Sequence, residues 1–159
     1  MNFGRTFATA GRVLRQLSHD GRSVALMLIA PSLLVGLFAW LFVDQDKVFQ
    51  TSGPAILALF PFVVMFLITS ITTLRERRSG TLERLMTTPL GKGDFIAGYA
   101  LAFGAAAILQ ALITVGFAVW VCGLDVQGPL WQLGLVAVID ALLGTALGLL
   151  ASAFARTEF

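Results

Sequence analysis

The densest cluster of ionisable and hydroxyl side chains in this sequence runs from Arg75 to Pro89, between two long apolar stretches. Wound as a helix, Leu82 and Leu85 share a face with Thr81, while Glu83 and Arg84 point elsewhere. Gly80 breaks the preceding helix, Ser79 or Thr81 can cap the next, and Pro89 ends it. Two apolar residues framed by opposite charges make a recognition element, suited to a cleft on a soluble partner. The alternative is a surface loop whose charges only enforce topology.

Few other residues offer chemistry. Asp140 is the one ionisable side chain well inside an apolar run, where an isolated charge costs about 2.5 kcal/mol or more. Gln110 lies eleven residues below Val121, and Asp140 ten below Leu130. At 1.5 Å per residue both sit about 15 Å deep, so they can meet across two antiparallel helices. Such a pair fits a polar spot on a substrate path, and equally a hydrogen-bonded structural contact with Asp140 protonated. His19 is the sole histidine and sits in a basic flank, which excludes a histidine-based triad or metal cluster. Cys122, also single, excludes an internal disulfide and reads as a packing residue. Gly91-Lys92 is superficially like a phosphate loop. Gly93 follows it where Ser or Thr should stand, and no Gly lies five positions before Gly91. No nucleotide site is expected in this chain.

The elements that position these residues are written in the composition. Hydrophobic residues make up 57% of the 159, charged ones 13%, and the mean hydropathy is +0.87. That excludes an ordinary soluble domain. Four apolar runs, 24–43, 55–74, 95–121 and 130–154, are each long enough to cross ~30 Å of hydrocarbon as a helix. The run at 24–43 lacks a small-x-small cleavage site and reads as a retained span, not a signal sequence. The fold class is all-α, a polytopic transmembrane helical bundle.

Orientation follows from the cations. Arg5, Arg12, Arg15 and Arg22 precede the first span; Arg75, Arg77, Arg78, Arg84 and Lys92 lie between the second and third; Arg156 follows the fourth. Only Lys47, of the eleven, falls on the other side. The positive-inside rule makes the crowded side cytoplasmic, N-terminus included, and Trp40, Trp120 and Trp131 mark the outer interface. The net charge of +2 is thereby loop asymmetry and needs no nucleic acid.

Residues 2–19 read as an amphipathic interfacial helix. Phe3, Phe7, Ala10, Leu14 and Leu17 recur at helical spacing, with Arg5, Arg12, Arg15 and Gln16 on other faces. Asp20-Gly21-Arg22-Ser23 looks like a turn, with Ser23 a candidate cap for the first span. Pro31 and Pro61 each delete a backbone hydrogen bond and favour kinks. The outer connections, 44–54 and 122–129, contain Gly and Pro and leave no room for an external domain. Gly144-x-x-x-Gly148 permits close helix approach, within the chain or across a dimer seam.

Glu76-Arg77-x-x-Gly80-Thr81-Leu82-Glu83-x-Leu85-x-x-Thr88-Pro89, followed by Phe95-Ile96-Ala97-Gly98-Tyr99, resembles the signature of the type-two ABC transporter permeases. The drug-exporter branch, typified by daunorubicin-resistance permeases, is the most similar. The resemblance runs from the basic amphipathic start to Phe159. It implies that 2–19 is an elbow helix and that Glu76, Arg77, Gly80, Thr81, Leu82, Glu83, Leu85, Thr88 and Pro89, within the cytoplasmic segment 75–94, couple to a separate ATP-binding cassette subunit. ATP and Mg would belong to that subunit, with no cofactor here and no enzymatic activity of the chain's own. It further implies a second permease copy, identical or not, in a bacterial inner (plasma) membrane. A drug-like, lipid or glycan substrate would be exported between the two. Members of that family carry six spans, so more membrane sequence is expected beyond the four here. Two other classes compete: a proton-driven four-span multidrug carrier, which would normally place its membrane carboxylate earlier than Asp140, and a non-transporting membrane scaffold.

Overall fold

The computed structural model describes residues 3–78, 92–126 and 128–154, and they are helical apart from short connections. Among these residues five helices follow in order: α1 (Phe3–His19), α2 (Gly21–Leu41), α3 (Asp46–Arg78), α4 (Lys92–Trp120) and α5 (Leu130–Phe154). Helices α2 to α5 are each long and apolar enough to cross a membrane. Large side chains such as Leu26, Ile29, Leu33 and Leu37 of α2 stand exposed, as a lipid-facing surface requires.

Asp20, not Ser23, caps α2. Its carboxylate accepts from the Ser23 backbone N–H at 3.3 Å and from the Ser23 hydroxyl at 2.7 Å. The Ser23 bonds, the hydroxyl first, hold the Asp20 carboxyl below the usual aspartate range. A carboxyl lowered in the folded state contributes stability above its unfolded pKa and loses it as pH falls through the folded value. Asp20→Ala is therefore expected to lower the thermal midpoint at pH 7 by on the order of 2 °C. The gap to the unaltered protein should close as pH falls below about 4; melting curves at both pH values check this.

Helix α3 is longer than its apolar core. The residues from Asp46 to Pro54, which read as a loop, form its first turns, and the connection from α2 shrinks to 42–45. Tertiary contacts override the local breakers. Gln50 donates to Asp46 Oδ1 and to the Gly123 carbonyl, both at 3.1 Å, and accepts from Asp125 N–H at 2.7 Å. Leu124, buried, lies against Gly53 so closely that a Cβ there would stand 2.6 Å from its Cδ1. Gly123, at φ 70°, makes the turn that brings Leu124 inward.

The core is organised around α4, which packs against each of the other four helices. Its buried residues are mostly small or flat: Tyr99, Ala102, Phe103, Ala106, Ala107 and Ala111 among them. The most extensive pairing is α3 with α5. A Cβ on Gly144 would strike the Phe62 carbonyl, and one on Gly148 would stand 2.7 Å from the Phe66 carbonyl oxygen. Numbers rise together along both helices, so they run parallel, and the Gly-x-x-x-Gly stripe serves an intramolecular seam.

Candidate functional site

Charge collects at one end of the bundle, where α1, the start of α2, the end of α3 and the start of α4 meet. Helix α1 turns Thr6, Thr9, Ala10, Val13 and Leu17 inward. Phe3, Phe7 and Leu14 stay exposed, so the buried face, which keeps Ala10 and Leu17, is rotated about 60° from the apolar stripe the spacing indicates. Gly98 explains the fit. A Cβ there would lie 2.6 Å from Thr9 Cβ and 3.0 Å from the Thr6 carbonyl oxygen, so only glycine lets α1 seat directly on α4.

Polar contacts fix that seat. Thr6 donates to Asp94 Oδ1 at 3.4 Å, and Arg12 Nη2 donates to the Tyr99 hydroxyl at 2.9 Å. Glu76 is 6% exposed. Gln16 donates a hydrogen bond to its carboxylate and the Arg12 charge lies nearby, so Glu76 turns toward α1 instead of outward. Helix α1 thus grips both roots of the intervening segment, Glu76 on one side and Asp94 on the other. A cleft of about 230 Å³ opens beside this junction, lined by Gln16, Leu17, Thr72, Arg75, Glu76 and Phe103 among others.

Of the other residues that the sequence resemblance implies in coupling, Arg77 lies on the last turn of α3. Gly80, Thr81, Leu82, Glu83, Leu85, Thr88 and Pro89 lie outside the described residues. Thr6, Arg12, Gln16 and Asp94 were not singled out as site residues by sequence reasoning. The available signal was a second stripe on α1, small and hydroxylated, at the same helical spacing as the apolar one.

The polar pair considered from depth does not form. Gln110 is wholly buried, and neither its amide nitrogen nor its amide oxygen has a partner among the described residues. Asp140 is half-exposed on α5. The stripe of α5 turned toward α4 includes Val138 and Leu142, and at 100° per residue Asp140 lies about 200° from each. It makes no hydrogen bond among the described residues. Asp140→Asn is accordingly expected to keep the yield and thermal midpoint of the unaltered protein; a fall of several degrees would contradict this placement.

A larger groove of about 650 Å³ lies between the outer halves of α4 and α5, where Leu112, Gly116, Trp120, Trp131, Leu135 and Val138 line it. It offers no charged group to orient a ligand. Among the described residues no cluster of His, Cys, Asp or Glu could hold a metal ion. At the charged end, polar groups on the end of α3 and the start of α4 are therefore both bonded to α1.

Comparison with known proteins gives this arrangement its setting. The family described as ABC-2 type transporter matches residues 5–159. A probable multidrug ABC transporter permease, YbhR, of Escherichia coli K12 is 29% identical over 105 residues, 66% of this chain and 28% of that protein. ABC transporter G family member 20 of Dictyostelium discoideum is 26% identical over 114 residues, 72% of this chain and 16% of that protein. The chain thus spans about a quarter or less of the length of these relatives. No solved structure matches. With the family match covering nearly every residue, and four membrane-length helices folded as one bundle, the chain belongs to the ABC-2 type transporter family.

Proposed function

We propose that this chain is the membrane-embedded part of an exporter driven by ATP hydrolysed in a separate subunit. The segment between α3 and α4 docks on that subunit in the cytoplasm. The observation that carries this reading is the double anchorage by α1. With Glu76 buried at the end of α3 and Asp94 buried at the start of α4, a push on the segment moves three helices together. A loose loop would absorb it.

The side of the membrane follows from charge. Arg5, Arg12, Arg15, Arg22 and Arg75 gather at the α1 end of the bundle, and Lys47 at the other; the crowded end is cytoplasmic by the positive-inside rule. Helix α1 then lies at the inner interface. Phe3, Phe7 and Leu14 reach the acyl layer, and its arginines reach the headgroups. The substrate class is amphipathic and drug-like, in keeping with the printed name of the Escherichia coli relative. It passes between this chain and a second permease copy.

Reconstitution in proteoliposomes with the ATP-binding subunit tests the reading. The permease should raise ATP hydrolysis several-fold, and export should persist when a protonophore collapses the proton gradient. Export that needs the gradient and ignores ATP would replace this account with the four-span carrier. Binding of the subunit without export would leave a scaffold.

A further inference from the structure

A serine or threonine in a helix ordinarily gives its hydroxyl proton to a carbonyl one turn earlier. Thr9, Ser32, Thr114, Thr145 and Ser152 do so here, at 2.7 to 3.3 Å from the carbonyls of Arg5, Leu28, Gln110, Ala141 and Leu149. Three hydroxyls on the inner half of α3 do not. Thr69, Ser70 and Thr73 are 0%, 1% and 7% exposed, and none of their oxygens has a hydrogen-bond partner among the described residues. At 100° per residue the three lie within about 100° of one another, and Glu76 continues the same stripe toward the cleft it lines with Thr72 and Arg75. A buried hydroxyl with nothing to bond is costly, and more so where lipid surrounds the bundle.

We propose that this stripe lines a narrow column of bound water. The column enters at the Arg75–Glu76 cleft and reaches Thr69, two turns or about 10 Å further into the bundle. Water fits because each hydroxyl both donates and accepts, and a bound water typically joins two to four polar groups. Gly148 of α5 presses close to Thr69 and Ser70, so nothing drug-sized fits beside them. The column is a hydration site separate from the substrate path.

Two measurements decide it. Thr69→Val and Thr73→Val keep side-chain shape and remove the hydroxyl. Each should lower the thermal midpoint in detergent by a few degrees, because bound water loses a partner. A raised midpoint means the hydroxyls sit dry and unbonded, and overturns the proposal. Accessibility is read in protein carrying Cys122→Ser, as protection by Ag⁺, an ion near water in size, against later maleimide labelling after denaturation. Ser70→Cys and Thr73→Cys should be protected at least tenfold faster than Ala107→Cys, an equally buried apolar position. Equal rates at the three positions overturn the proposal even if the valine variants fail to fold.

Discussion

Gly144→Leu is expected to abolish recovery of folded, monodisperse protein, while Gly134→Leu leaves recovery unchanged. Both glycines lie on α5, and they differ in what surrounds them. A Cβ at Gly134 meets nothing within 4 Å; one at Gly144 meets the carbonyl oxygen, carbonyl carbon and Cα of Phe62, all backbone. No side-chain rotation relieves that overlap, so α3 and α5 must separate along their parallel seam. Overpacking typically costs 1–3 kcal/mol, and backbone obstruction puts this variant at about 3 kcal/mol or above. Separation also forfeits close packing, the chief attraction between helices in lipid. Size-exclusion profiles of a fluorescently tagged protein measure it. Gly144→Leu eluting as one sharp peak at normal yield would contradict the seam.

Gly80→Pro and Glu83→Arg are expected to reduce export at least tenfold while membrane insertion and yield stay normal. Proline removes a backbone N–H and restrains the preceding residue, which would block the turn into a short helix. Arginine at 83 replaces attraction with repulsion against any cation on the docking surface. Both positions fall in the polar stretch of sequence between two apolar runs, so folding should be spared. The expected signature is uncoupling: stimulation of the ATP-binding subunit falls together with export. Normal export by both variants would remove the segment from the coupling path.

Much of this architecture can be read without coordinates, because lipid simplifies the rule. An apolar run of sufficient length becomes a helix, and α5 occupies the 130–154 run. Small residues at i, i+4 spacing mark where helices close in, as Gly144 and Gly148 do. What resists reading is rotation about each axis. Depth alone lets Gln110 and Asp140 meet, yet Asp140 turns away from α4. On α1 the conspicuous Phe3, Phe7 and Leu14 of the apolar stripe are exposed, and only its Ala10 and Leu17 are buried, beside Thr6 and Thr9, because Gly98 brings the small residues of α1 against α4. The start of α3 fails for another reason. The 44–54 stretch, with its Gly and Pro, reads as a connection, but Gln50 and Leu124 hold its later part helical from a distance in sequence that local patterns do not cover.

The most direct test is the side on which the segment between α3 and α4 emerges. Glu83→Cys, in protein carrying Cys122→Ser, should react with a membrane-impermeant maleimide in inside-out vesicles and stay unlabelled in intact cells. Labelling from the cell exterior would place the segment beyond the reach of any ATP-hydrolysing subunit and contradict the account.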